Sequence, residues 1–120
     1  MIVAGFGCRA GTTAASLEEA LRRAAGGRRP ALLAAPADRR ALVLPLAERL
    51  GLRLLAIEDR VLRTVDTPTR SPISLARRGV GSVAEAVALA AAGPGAHIVQ
   101  RRCISADRLA TCAIAEGIDR

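Results

Sequence analysis

Few side chains in this sequence can do acid, base or nucleophilic chemistry, and only some of them sit where chemistry is plausible. The chain has one histidine, His97, and three cysteines, Cys8, Cys103 and Cys112. Cys8 stands in Gly5-Phe6-Gly7-Cys8-Arg9-Ala10-Gly11, between an apolar run and a helical pattern. A helix N-terminus and a neighbouring arginine both lower a thiol's pKa, so Cys8 can be read as a nucleophile. The other reading is a small residue that fits a tight turn or contacts a ligand. A nucleophile needs a base, and His97 falls in a predicted strand with no visible link to Cys8. Both readings stay open.

The same loop can bind an anion. Glycines at 5, 7 and 11 let the backbone turn sharply and approach a ligand, and free N–H groups at the start of the next helix favour negative charge. Gly5-x-Gly7-x-x-Ala10 partly matches a dinucleotide fingerprint. The acidic residue that should follow the second strand is not clearly present, since Asp38, the only candidate, comes after Pro36. A nucleotide- or phosphate-binding module therefore remains an alternative use of this turn.

Elsewhere, Glu85 could act as a general acid or base, but Ser82-x-x-Glu85 is also the spacing of a capping box. Thr67, Thr69 and Ser71 lie in a proline-rich stretch that could close over a ligand or simply make turns. Arg9, Arg101 and Arg102 could clamp carboxylates if the loop and a strand end share one rim. Arg77 and Arg78 read as solvated surface.

Composition narrows the ligand. All 18 basic residues are arginine, the formal charge is +7, and the chain holds one Phe with no Trp or Tyr. A basic surface concentrates anions, and arginine grips carboxylate or phosphate with two parallel hydrogen bonds. Nucleic acid is disfavoured, because single-strand modules stack bases on aromatic rings and the arginines form no dense run. An odd number of cysteines without C-x-x-C argues against a disulfide framework and a zinc site, and suits a reducing cytoplasm. Nothing calls for a metal or a cofactor. The N-terminus lacks the basic start of a signal peptide, and no segment is long and apolar enough to span a membrane.

These residues must be held by a single domain over residues 1–120, whose 51% hydrophobic content is ample for one core built on Leu, Val, Ile and Ala. The pattern gives a strand over 1–6, a helix over 12–25 stopped by Gly26-Gly27, and a strand over 31–35 closed by Pro36. A helix over 42–50 follows, with Pro45 in its first turn or kinking it. A strand over 52–57, a short helix over 58–65 and a loop over 66–72 come next. An Ala-rich helix then runs from Ser82 to Gly93. Strands over 96–100 and 109–115, joined by 101–108, suit an antiparallel pair. The expected fold is α/β: three layers, α/β/α, around a mainly parallel sheet with an antiparallel C-terminal edge hairpin. Ligands bind such sheets beyond the carboxyl ends of the strands, which is where the 5–11 loop lies.

The turn Gly7-Cys8-Arg9 with Gly11 resembles the opening of the CobE family, which also forms the C-terminal domain of CbiG in cobalamin biosynthesis. Ala10 stands where the family often carries a second basic residue. The likeness continues at Gly81-Ser82-Val83-Ala84-Glu85-Ala86, at Arg101-Arg102, where the family usually has lysines, and at Ala110-Thr111-Cys112-Ala113-Ile114-Ala115. These segments follow the family's order and spacing over nearly the whole chain.

The resemblance implies a role in building the corrin ring of vitamin B12 by the aerobic route. Its partners would be a precorrin, a ring-contracted tetrapyrrole fringed with acetate and propionate groups, and other enzymes of the pathway. Within CbiG it implies hydrolytic opening of the cobalt-precorrin-5A lactone with release of acetaldehyde. The binding set expected on this basis is Gly7, Cys8, Arg9, Gly11, Thr12, Thr67, Thr69, Ser71, Arg101 and Arg102. Cys8 and Glu85 are the catalytic candidates if the protein turns substrate over.

Overall fold

A computed structural model describes residues 1–118 of the chain. Its central strand is β1 (Ile2–Cys8), whose residues are buried from Val3 to Gly7 because sheet and helices cover it on every side. Five strands form one sheet in the order β3-β2-β1-β5-β4. On one side β1 pairs in parallel with β2 (Leu32–Pro36), and β2 in parallel with β3 (Arg53–Ile57). On the other side it pairs antiparallel with β5 (Ala110–Glu116), and β5 with β4 (His97–Ile104) at the edge. The C-terminal hairpin is thus laid on the free side of a parallel β1-β2-β3 unit.

Successive side chains on a strand point to opposite faces, and the core divides accordingly. Ala4, Phe6, Leu33 and Ala35 pack beneath α1 (Ala14–Ala25) and α2 (Arg40–Leu50), with Leu17, Val43, Leu46 and Ile114. Val3, Leu32 and Ala34 face the other way, against Leu62 of α3 (Asp59–Leu62), Val80, and Val87 of α5 (Val83–Ala92). These are the two helical layers expected from the alternation of elements. None of the helices among the described residues is long and apolar enough to cross a membrane.

Helix ends follow local chemistry. Thr13 caps α1 in a reciprocal box with Ser16, and Gly26 closes it in a left-handed conformation. The Glu19 carboxylate accepts from the Ala106 N–H and ties α1 to the turn before β5. A short 3₁₀ turn over Ala37–Arg39 leads into α2, which starts two residues earlier than its apolar pattern and carries Pro45 in its interior.

Two of the three loop glycines serve packing rather than turning. Gly5 and Gly7 lie inside β1, and a Cβ on Gly5 would sit 2.3 Å from the Ala84 carbonyl oxygen and 2.6 Å from the Ala88 nitrogen. The Ala-rich α5 therefore rests almost backbone-to-backbone on β1. Gly11 alone, at φ +88°, has the positive φ of a turn glycine, in a turn closed by Thr12 N–H to Arg9 O at 3.1 Å.

Two elements differ from expectation. α4 (Pro72–Arg78) forms where no helix was expected, capped by Ser71 and closed by Gly79; seven residues are too few to show helical periodicity. β4 continues to Ile104, so Arg101 and Arg102 lie inside the strand and not in its connection. Register irregularities between Ile98 and Cys103 accompany the extension.

Candidate functional site

β1, β2 and β4 end on the same side of the sheet, and a cleft of about 500 Å³ opens there. Its base is Gly7, Cys8 and Pro36 at the ends of β1 and β2; one wall is α4, another the end of β4 and the turn into β5. Six arginines line it: Arg9, Arg39, Arg77, Arg78, Arg102 and Arg108. Among the described residues no Asp or Glu lines it. Ile73, Val83, Ile104 and Leu109 supply apolar surface between the guanidinium groups, and Ile73 is 55% exposed.

Each arginine arrives by a different route. Arg9 follows the β1 end directly, its N–H donating to Leu109 O at 2.9 Å. Arg39 ends the 3₁₀ turn after β2, and Arg77 and Arg78 form the last turn of α4. Arg78 is clamped between Asp38 at 3.0 Å and Asp59 at 2.8 Å, and its side chain is only 17% exposed. For Arg78 the expectation of solvated surface is thus corrected, since it is the most firmly held of the arginines there; Arg77 is exposed, as expected, and α4 carries it to the edge of the same cleft. Asp38, the one candidate for a ribose-binding acid, is taken up by Arg78.

Arg102 and Arg101 separate, because neighbours on a strand point to opposite faces. Arg102 enters the cleft while Arg101 is exposed outside it. The Arg102 N–H donates to the Glu85 carboxylate at 2.9 Å. Glu85 is fully buried and also accepts from Thr69 N–H at 2.8 Å and Thr69 Oγ1 at 2.6 Å. It therefore ties α5, the 66–71 loop and β4 together, and it does not reach the cleft. The capping box is half made: Ser82 Oγ accepts from Glu85 N–H at 3.3 Å, but the Glu85 carboxylate goes to Thr69 and Arg102.

The 66–71 loop is pinned rather than poised to close. Thr67 Oγ1 donates to Thr69 O at 2.7 Å, Thr69 is spent on Glu85, and Ser71 N–H donates to Gly81 O at 2.8 Å. Of its three hydroxyl residues only Ser71 lines the cleft. Thr12 is likewise committed to structure, its hydroxyl donating toward Arg9 O and Leu109 O at 2.6 and 2.8 Å. Gly11 shapes the turn without lining the cleft. Of the expected binding set, the cleft brings together Gly7, Cys8, Arg9, Ser71 and Arg102.

Of the two readings of Cys8, its surroundings favour the unactivated thiol. Burial pushes its pKa up to about 11, and Arg39 and Arg78 offset only part of that, with Asp38 working against them. It is a neutral thiol at physiological pH. His97 lies at the opposite end of the sheet, paired in register with Glu116, so it cannot serve Cys8 as a base. The start of α1, expected to hold an anion, already faces one from within the chain: Ser16 Oγ donates to Asp107 Oδ2 at 2.5 Å. Asp107 also accepts from Ser105 Oγ and Leu109 N–H, and the Ser105 bond leads in lowering its pKa. Among the described residues no cluster of His, Cys, Asp and Glu could hold a metal ion.

Arg39, Ser74 and Arg108 were not singled out by sequence reasoning, and Arg77 and Arg78 were read only as surface. Arg39 had a usable signal, since it closely follows the end of the second strand, where the rule that pointed to the 5–11 loop applies equally. Arg108 had none, because its place depends on how the hairpin folds against β1.

Fold and site together define an α/β domain whose parallel strand ends open on an arginine-walled, anion-attracting cleft. The family model described as Cobalamin synthesis G C-terminus matches residues 2–115, and the chain belongs to that family. No curated protein sequence matched. Among solved structures, the chain is similar to CobE, a protein from the cobalamin (vitamin B12) biosynthetic pathway. The two are 30% identical with a TM-score of 0.87, over 100% of this chain and 93% of that one. It is also similar to the cobalamin biosynthesis protein chiG from Agrobacterium tumefaciens, at 33% identity and a TM-score of 0.77, over 99% and 100% of the two chains. A putative cobalamin biosynthesis protein G homolog from Sulfolobus solfataricus shares the fold, at 20% identity and a TM-score of 0.73 over 95% of this chain and 36% of that one.

Proposed function

We propose that this protein binds a precorrin, a ring-contracted tetrapyrrole of the aerobic cobalamin route, by gripping its peripheral carboxylates in the arginine cleft. The observation that carries the reading is the meeting of six arginines, of which Arg78 alone is paired with aspartates among the described residues, around one cleft that no carboxylate of those residues lines. Such an excess of one charge in a concave site draws in a polyanion. Arginine also suits several separate carboxylates, each taking its own pair of N–H donors. The apolar side chains between the arginines match the faces of a macrocycle whose charge is confined to its rim. A cleft of this size and openness holds an edge or face of such a ring and leaves the rest in solvent.

Binding without turnover fits the site better than lactone hydrolysis. The Cys8 thiol is protonated at neutral pH, and Glu85 is buried away from the cleft with its carboxylate occupied. Titration of the protein with hydrogenobyrinic acid, followed by absorbance and calorimetry, should give saturable binding that weakens as salt rises. Arg102→Ala and Arg9→Ala should each reduce it. Absence of binding at any salt concentration overturns the proposal. Release of acetaldehyde from cobalt-precorrin-5A would replace it with a hydrolytic function.

A further inference from the structure

α4 walls the cleft but has little to hold it there. None of its seven residues is buried as a whole, and none joins either apolar cluster of the core. Segments with few buried apolar contacts open locally at low free energy. The chain around α4 is fixed instead. Ser71 N–H donates to Gly81 O at 2.8 Å across the base of the segment, Val80 is buried, and the preceding loop is tied through Thr69 to Glu85. Residues 72–79 therefore form a flap with a pinched neck.

Beyond that neck, the side-chain bonds from α4 to other elements among the described residues come from Arg78 alone. Its two Nη atoms donate to Asp59 of α3 at 2.8 Å and to Asp38 of the 3₁₀ turn at 3.0 Å. This clasp closes the flap. An unmade bond works against it. Buried polar atoms are nearly always hydrogen-bonded, yet Ser74 Oγ on α4 is buried without a partner, as is Arg39 Nε next to the clasp. Outward movement of α4 brings Ser74 Oγ to water and removes the cost of leaving it unpaired.

Resting on the carboxylate-binding reading above, we infer that α4 is a lid on the cleft, opened and closed at the Arg78 clasp. The lid carries Arg77 and Ile73, both exposed, into a cleft whose other wall holds Arg102 and Arg108. A ligand that touches both walls binds the closed state and shifts the population toward it. Release then requires the clasp to part, so lid opening sets the rate at which bound ligand leaves.

Hydrogen exchange of the full chain, read by mass spectrometry on peptides over 72–79 and over 83–92, tests the lid. In the free protein α4 should exchange about tenfold or more faster than α5. Asp38 and Asp59 anchor the clasp without lining the cleft. The double variant Asp38→Ala, Asp59→Ala should speed α4 exchange about tenfold further and leave α5 as in the parent. Hydrogenobyrinic acid should slow α4 in the parent, and in stopped-flow absorbance it should leave the double variant faster. Exchange at α4 that matches α5 in the free protein, that rises no more than α5 in the double variant, or that stays fast with the macrocycle bound overturns the lid. The two readings fail separately. Clasp-dependent exchange at α4 without hydrogenobyrinic acid binding at any salt concentration keeps the lid and discards the macrocycle. Binding of the macrocycle to a protein whose α4 exchanges as slowly as α5 throughout does the reverse.

Discussion

Arg108 is the only non-glycine residue with positive φ among those described, at +63°. Its N–H closes the turn on Ser105 O at 2.8 Å, and Asp107 fixes the turn by accepting from Ser105 Oγ and Leu109 N–H. Hairpin turns usually put glycine at such a left-handed position. An L-residue there costs about 1–2 kcal/mol. Arg108→Gly removes that cost but gains freedom in the unfolded chain, worth roughly 0.4–1 kcal/mol in the other direction. The net expectation is a stabilisation of about 0.5–1 kcal/mol, or a rise of roughly 2–4 °C in melting temperature for a domain of this size.

Binding should move the opposite way. Arg108 lines the cleft, and losing one exposed arginine–carboxylate pair costs about 1 kcal/mol, roughly a fivefold weaker affinity for hydrogenobyrinic acid. Arg108→Asn, which tolerates the same backbone but lacks the guanidinium, should match the glycine variant in binding. Thermal unfolding and calorimetric titration of the three proteins read both effects. A glycine variant no more stable than the parent refutes the strain argument. One that binds with unchanged affinity refutes the role of Arg108 in the cleft.

Further expectations concern the framework of the site. Glu85→Gln places an amide N–H₂ against the donors Thr69 and Arg102, so urea unfolding should show a loss of about 2–4 kcal/mol with an unchanged denaturant slope; a loss well under 1 kcal/mol would contradict Glu85's tie between three segments. Gly5→Ala drives a methyl into the α5 backbone and should cost about 1–3 kcal/mol or more, whereas Gly11→Ala meets open space and should cost only its left-handed strain, about 1–2 kcal/mol. Circular dichroism melts that rank them in reverse would refute the close helix–strand contact. For Cys8 the folded pKa, about 11, lies above the ordinary thiol value of 9.0, so the native state holds its proton more tightly. The stability this group contributes is complete below pH 9 and is lost as pH rises through about 11. Thiolate absorbance in a Cys103→Ser, Cys112→Ala protein should show a midpoint near 11; a midpoint below 9 would restore an activated nucleophile.

The legible part of the fold was that written in local patterns. The apolar runs 1–6, 31–35 and 52–57 became β1, β2 and β3, and Gly26, Gly51 and Gly93 closed their helices as their positions suggested. α4 was not legible, because its seven residues carry no apolar stripe and only the Ser71-Pro72 start and Gly79 end mark it. The reach of β4 was missed because Arg101-Arg102 reads as a polar turn, and only pairing with β5 and the bond to Glu85 make it strand.

The sequence by itself determined the class of fold, the side of the sheet on which the arginine cleft opens, and a surface chemistry of arginine without lysine that attracts anions. These follow from periodicity, strand–helix alternation and charge, which are local or additive. Tertiary structure decided which arginines share the cleft, since Arg9, Arg39, Arg78, Arg102 and Arg108 come from five separate segments that only the sheet order brings together. It also set the burial that decides between the two readings of Cys8, and it reversed the reading of Gly5 and Gly7. A thiol's pKa depends on burial, and a glycine's use on what lies against it, and both are set by neighbours distant in the chain.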